Sequence, residues 1–312
     1  MKRYTTWMFP VFCLILSAML ILSACGVHGG SGIPQDGPIR VTATTGMVAD
    51  AVKNVGGDRV EVTALMGPGV DPHLYKASHG DIKKLEDAHM IFYNGIHLEG
   101  KMTDILAKIS GEKPVIAVAE GIDEKKLIRT ADNQYDPHLW FDVGLWIEAV
   151  KRVETELSKA DPQHREDYRK RAEAYIGKLK ELDRYAEEQI RSIPEERRVL
   201  VTAHDAFGYF GKAYDMEVVG LQGISTASEY GLKDVQRIVK LLVDREIKAV
   251  FVESSVPNRS IQAVVKGTEE KGHKISIGGE LFSDAMGKEG TVEGTYVGMV
   301  RHNVDTIVSA LK

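Results

Sequence analysis

The chain predicts an α/β fold, in which two parallel-sheet lobes are joined by one long rigid linker helix and face each other across a cleft. Three observations carry that expectation. Short apolar runs alternate with amphipathic helical stretches in both halves of the chain, the pattern of parallel strands linked by helical crossovers. Between the halves, residues 161–193 repeat apolar positions at helical spacing amid dense charge. Histidine and aspartate residues follow predicted strands, at the sheet edge where open parallel sheets bind their ligands.

Residues 1–24 read as a signal peptide. Lys2 and Arg3 precede an apolar run from Trp7 to Leu22, and Leu22-Ser23-Ala24-Cys25 follows. A basic start, an apolar stretch and small residues before a cut mark a secretory signal, while Pro10 and the short run argue against a transmembrane anchor. Leu-Ser-Ala-Cys resembles the lipobox of bacterial lipoproteins, which implies cleavage before Cys25 and a diacylglyceryl group on its thiol. Two chains anchor stably where one binds only marginally. Residues 25–38, glycine-rich with Pro34 and Pro38, form the lipidated cysteine and a flexible tether. The location expected is the extracytoplasmic face of the cell membrane.

Cys13 and Cys25 are the only cysteines, so the mature chain keeps no thiol for a disulfide or a thiolate metal site. Stability must come from core burial, and any metal must sit on nitrogen and oxygen. Without Lys2 and Arg3 the chain carries 38 basic and 45 acidic residues, a formal charge of −7. No basic stripe with interleaved aromatics appears, which excludes a nucleic-acid partner.

The first lobe spans 39–160. Strands are expected at 39–44, 60–65, 90–93 and 115–118, with helices at 46–55, 81–88 and 145–158. Gly56-Gly57 closes the first helix. The last carries Trp146, Ala149, Val150, Val153 and Leu157 on one face. The linker helix spans 161–193, with Asp161 as cap, Pro162 in the first turn and Pro194 as the stop. Tyr168, Ala172, Tyr175, Leu179, Leu182, Ala186 and Gln189 trace its packed face. Gly177 costs only about 1 kcal/mol in a helix, so one unbroken rod is favoured over two shorter helices. The second lobe spans 194–312, with strands at 199–202, 218–221, 249–252 and 274–277, and helices at 233–243, 260–271 and 294–311.

Asp-Pro-His-Leu occurs twice, at Asp71–Leu74 and Asp136–Leu139, each time before an aromatic, Tyr75 or Trp140. Proline fixes its own φ and pushes the preceding residue into an extended shape, so each histidine is presented from a stiffened turn. Two imidazoles of matching local geometry suit one metal ion, since imidazole ligands need a fixed ring orientation. A lone Asp-Pro-His is ordinarily a turn with a surface histidine, so more ligands are required. His204 follows a buried strand and Asp284 follows the last one. Together His73, His138, His204 and Asp284 offer three imidazoles and one carboxylate, two groups from each lobe. Glu253 ends an apolar strand and His97 leaves another; both are candidates to support the ligands from outside. Asp71, Asp136 and Asp205 flank ligands and suit hydrogen bonding or capping.

The passages Val41–Asp50, Met66–Tyr75, Asp136–Phe141, Val201–Phe207 and Ser283–Gly287 resemble those of the manganese-binding lipoproteins of bacterial ABC transporters, the cluster A-I (cluster 9) solute-binding proteins. The resemblance covers essentially the whole mature chain. It implies two α/β lobes bridged by one long helix, with a metal held between them by His73, His138, His204 and Asp284. It further implies capture of a divalent metal, Mn(II) before Zn(II), and delivery by a monomer to a membrane permease with its ATPase. The histidine-rich acidic loop of zinc-specific relatives has no counterpart here, which favours manganese. Coordination chemistry leaves zinc in play, because three imidazoles and one monodentate carboxylate suit tetrahedral Zn(II). A bidentate Asp284 would suit manganese better. Two rivals belong to other classes. A zinc hydrolase would need an open coordination position, whereas here the fourth is filled and no His-Glu-x-x-His helix exists. A surface adhesin would need an adhesive surface that no residue pattern encodes.

Overall fold

The computed structural model describes residues 32–130 and 133–312. The signal peptide and Cys25 lie outside the described residues. Among those described, no helix is long and apolar enough to cross a membrane.

The first lobe is built from β1 (Ile39–Ala43), α1 (Gly46–Gly56), β2 (Val60–Ala64), α2 (His79–Asp87), β3 (Met90–Tyr93), α3 (Thr103–Ser110) and β4 (Val115–Ala117). The four strands form one parallel sheet in the order β2-β1-β3-β4. Thr45 caps α1 by accepting the Val48 N–H, and Met47, Val48, Ala51, Val52 and Val55 bury its inner face. The helix stops at Gly57, whose φ of 55° is left-handed. Ser78 and Asp81 form a reciprocal capping box at the start of α2. Helix α3 was not predicted: it buries only Leu106 and Ile109, too few positions for a period to show.

Helix α4 (Val143–Ala160) buries all five residues expected on its inner face. A short 3-10 turn, Pro162–His164, then leads into α5 (Arg165–Arg191), which runs unbroken through Gly177 for about 40 Å. Its buried residues are Tyr168, Ala172, Tyr175, Leu179, Leu182, Ala186 and Ile190; Ile190, not Gln189, completes the stripe. Asp161 is not a side-chain cap. Its Oδ2 instead accepts hydrogen bonds from Arg59 Nε at 2.7 Å, His164 Nδ1 at 2.9 Å and the Tyr168 hydroxyl at 2.7 Å, tying the linker to the start of β2.

The second lobe contains β5 (Val199–His204), α6 (Gly208–Tyr214), β6 (Glu217–Gln222), α7 (Leu232–Asp244), β7 (Ala249–Glu253), α8 (Arg259–Glu269), β8 (Ser276–Leu281) and α9 (Tyr296–Leu311). β5 pairs in parallel with β6, and β7 with β8. The last strand starts two residues later than the stretch expected from the sequence, 274–277, and runs on to Leu281. Its Ser-Ile-Gly-Gly-Glu-Leu has little β propensity, and backbone pairing to β7 makes the strand, with a register shift between Val250 and Phe251. Helix α6, two turns long, was also not predicted.

Helix α5 packs on α1 and α4 of the first lobe and on α9 of the second. Aromatic rings join the lobes near the site: Phe141 stacks on Phe207 at 4.3 Å and Trp146 on Tyr296 at 5.4 Å between centroids, all four buried. Such pairs add about 0.5–1.5 kcal/mol beyond the area they bury. They join the stretch after the second Asp-Pro-His turn to the segment after β5 and to α9.

Candidate metal centre

The two Asp-Pro-His turns fold as their shared sequence predicts. Asp71 Oδ1 accepts the backbone N–H of His73 at 2.9 Å, and Asp136 Oδ1 accepts that of His138 at 2.9 Å. Each aspartate thus closes a local turn of the kind its short side chain favours. The first turn follows β2 through Gly67-Pro68-Gly69. The second is fixed from several sides. Asn94 Nδ2 donates to the Pro137 carbonyl at 3.0 Å, and the Tyr209 hydroxyl donates to the Asp136 carbonyl at 2.9 Å.

His204 is the last residue of β5, and Asp284 stands three residues past β8. Trp140 Nε1 donates to the Ser283 carbonyl at 3.1 Å, and the Ser255 and Ser283 hydroxyls share a hydrogen bond at 2.8 Å. These contacts hold the Asp284 loop against the aromatic that follows the second turn.

His73, His138, His204 and Asp284 are all buried, and one ligand atom from each lies within 4.8 Å of the others. His73 Nε2 is 3.2 Å from His138 Nε2 and 3.7 Å from Asp284 Oδ2. His138 Nε2 is 3.3 Å from Asp284 Oδ1, and His204 Nε2 is 3.3 Å from Asp284 Oδ2. Bonds of about 2.0–2.1 Å to one tetrahedral ion would place neighbouring ligand atoms about 3.3 Å apart. Three of these four distances are close to that, and the one from His73 to Asp284 is longer. His204 Nε2 and both Asp284 oxygens are buried without a partner in hydrogen-bond geometry. Buried polar atoms are seldom left so, and a cation would satisfy all three.

Two of the imidazoles are oriented from behind. Asp136 Oδ1 lies 2.7 Å from His138 Nδ1. Glu253 Oε2 lies 2.5 Å from His204 Nδ1, and Glu253 Oε1 accepts the His204 backbone N–H at 2.8 Å. A carboxylate on Nδ1 leaves Nε2 free to ligate and raises its basicity. The Glu253 carboxylate also takes the N–H at the tip of β5, where that strand packs beside β7.

The electrostatics of the cluster follow from burial and these neighbours. Burial pulls His73 down to about 4, so it is neutral at pH 7 and ready to ligate. Burial also opposes a charge on His138, but the Asp136 and Asp284 carboxylates outweigh it and push that group up to about 9. For His204 burial is likewise overcome, by Glu253 and Asp284, and its pKa lies well above the usual range. Burial disfavours the Asp284 carboxylate, yet His204 and His138 hold it well below the ordinary carboxylate value. The carboxylates thus favour protons on His138 and His204 that a dication would displace.

Of the supporting residues read from the sequence, Glu253 contacts His204, one of the four candidate ligands, directly. His97 does not: it is exposed on a turn with a φ of 60° and lines a cavity of about 520 Å³ that also reaches His73. Asp205 lines the same cavity. Sequence reasoning missed Trp140, Ser283 and Thr226. Trp140 had a visible signal in the repeated aromatic after each turn, whereas nothing marks Thr226.

Two α/β lobes bridged by one long helix, with a buried three-histidine, one-aspartate cluster between them, define a metal-binding substrate-binding protein. Residues 41–310 match the family described as zinc-uptake complex component A periplasmic (ZnuA), and the chain belongs to that family. It is 56% identical over 299 residues to the manganese-binding lipoprotein MntA of Bacillus subtilis, covering 96% of this chain and 97% of that one. It is 47% identical over 297 residues to the zinc-binding protein TroA of Treponema pallidum, covering 95% and 96%. The solved structure of the periplasmic zinc-binding TroA of Treponema pallidum superposes with a TM-score of 0.87 at 50% identity, covering 88% of this chain and 99% of that one.

Proposed function

We propose that this chain captures a divalent cation outside the membrane, Mn(II) before Zn(II), and passes it to an ABC permease driven by a partner ATPase. The observation that carries the reading is the meeting of His73, His138, His204 and Asp284 within 4.8 Å, with three of their polar atoms unpartnered. Both Asp284 oxygens face imidazole nitrogens at 3.3 Å. That supports bidentate binding and a fifth donor, which suits manganese, the weakest binder of the divalent series and so the one most dependent on geometry. The 56% identity to a protein named for manganese binding supports the same choice. Zn(II) is the second reading, supported by edges close to those of a tetrahedral ion and by the likeness to TroA.

In this reading residues 1–24 are removed, Cys25 is acylated and 25–38 tether the folded part to the bilayer. The lobes are 39–160 and 194–312, with 161–193 as linker, and the protein works as a monomer. It is a receptor and not an enzyme, as its family of substrate-binding proteins suggests, and the donors around the ion all come from protein side chains.

The deciding measurement is the metal content of protein matured in its own host, with calorimetry for Mn(II) and Zn(II). Binding of one ion per chain is expected. His73→Ala and Asp284→Ala should each lower affinity by roughly 100-fold or more while leaving the metal-free fold intact. A chain that binds neither ion, or variants that bind as the parent does, would sink the reading.

A further inference from the structure

The three imidazoles are not held alike. Carboxylates grip His138 and His204 at Nδ1, but no hydrogen bond reaches His73 Nδ1 among the described residues. His73 is held through its backbone N–H, which donates to Asp71 Oδ1. It is also the one of the four that lines the cavity of about 520 Å³ opening beside the cluster. The far wall of that cavity is the loop after β6, with Gly223, Ile224, Ser225 and Ser228 among its lining residues. From that loop the Thr226 hydroxyl reaches across the cleft and donates to Asp71 Oδ2 at 2.6 Å, joining residues 155 positions apart.

The loop is shaped to present this hydroxyl. Gln222, which pairs with His204 in the β5-β6 ladder, donates through Nε2 to the carbonyls of Thr226 and Ser228. The Ser228 N–H donates to the Ser225 carbonyl at 3.0 Å. The loop is therefore a closed bend rooted on the strand that accompanies a ligand, and its tip touches the aspartate that positions another ligand. Residues 227–231 beyond it are exposed.

We infer that Thr226 is a positioning residue and retention latch: its hydrogen bond to Asp71 holds the His73 turn closed over the cation, and release proceeds on the His73 side when that bond breaks. The inference rests on the metal-site reading above. Asp71 is shared between the latch and the His73 backbone, so opening the loop frees the one ligand that no carboxylate secures from behind. The cation then leaves into the cavity lined by His73, His97 and Asp205.

The test uses the mature chain loaded with Mn(II) and mixed rapidly with an excess of a fluorescent chelator. Thr226→Val removes the hydroxyl at nearly constant shape, and Thr226→Ser keeps it. Release from Thr226→Val should be roughly tenfold faster, the rate equivalent of one lost hydrogen bond to a charged group. Thr226→Ser should release at the wild-type rate. Association rates should stay at wild-type values, because the latch acts on release. Release from Thr226→Val at the wild-type rate, or equal acceleration in both variants, overturns the latch while leaving the metal site standing. A wild-type chain that takes up no Mn(II) overturns the site and the latch together.

Discussion

Glu253 grips His204 at two points, Oε1 on the backbone N–H at 2.8 Å and Oε2 on Nδ1 at 2.5 Å, although the residues lie 49 positions apart. Ring direction and strand end are thereby set by one carboxylate. Glu253→Gln keeps the shape but removes the charge that favours an Nδ1–H tautomer. Affinity for Mn(II) and Zn(II) should fall by about 10- to 100-fold by calorimetry, with the Tm of the loaded protein falling more than that of the metal-free protein. Unchanged affinity would show that Glu253 serves only to join β5 to β7.

Metal binding should release protons. His138 is pushed up to about 9 and His204 is raised well above its usual value, so both favour the protonated form in the metal-free fold. Protons should leave as the ion binds near neutrality, at least the one on His138, and affinity should rise with pH up to about 9. Calorimetry in buffers of different ionisation enthalpy counts them.

Stability of the metal-free protein should move the other way. A histidine whose folded pKa is raised stabilises the fold fully below its unfolded value, near 6.5, and loses that contribution as pH rises through its folded value. For His138 the window runs from about 6.5 to about 9. Denaturant midpoints of the metal-free protein should fall across that window, and those of the metal-loaded protein should not, since its imidazoles no longer titrate there.

Gly177 lies exposed within α5, and a Cβ added there meets nothing within 4 Å. Gly177→Ala should therefore stabilise the protein by about 0.5–1 kcal/mol, through helix propensity and a less flexible unfolded chain. A rise in Tm of roughly 2 °C is expected. A fall would mean that the linker needs to bend at this point.

Asp161→Ala leaves the Arg59 guanidinium and the Tyr168 hydroxyl without their acceptor where side-chain exposure is only 12% and 7% for the ion pair. Removing one partner of a pair this buried should cost about 3 kcal/mol, read as a lower denaturant midpoint. Burial disfavours the Asp161 charge, but Arg59, His164 and Tyr168 overcome it and lower its pKa. Its contribution is present above the unfolded carboxylate value and is lost as pH falls through the folded one.

Much of this was legible beforehand because it is local. The Asp-Pro-His turns owe their shape to proline and to an aspartate two residues before the histidine, all within three positions, and both formed as expected. The apolar stripes of α4 and α5 follow from helical periodicity alone, apart from the exchange of Gln189 for Ile190. The β8 strand was misplaced because pairing with β7 supplies what Gly278 and Gly279 lack in propensity. Helices α3 and α6 went unseen because two turns are too few for a period.

The sequence by itself determined two stiff histidine turns, two runs of alternating strand and helix, a long linker rod and four residues fit to bind one cation. Backbone stiffness and hydrophobic spacing act within a few residues, so they can be read in order along the chain. Only the tertiary structure decided which support each ligand receives. Asp71 and Asp136 stand in identical tetrapeptides, yet one reaches across the cleft to Thr226 while the other takes its own histidine's ring. That difference, like the hold of Glu253 on His204, depends on how the lobes pack, because which donor meets which carboxylate is settled by side chains brought together from distant parts of the chain.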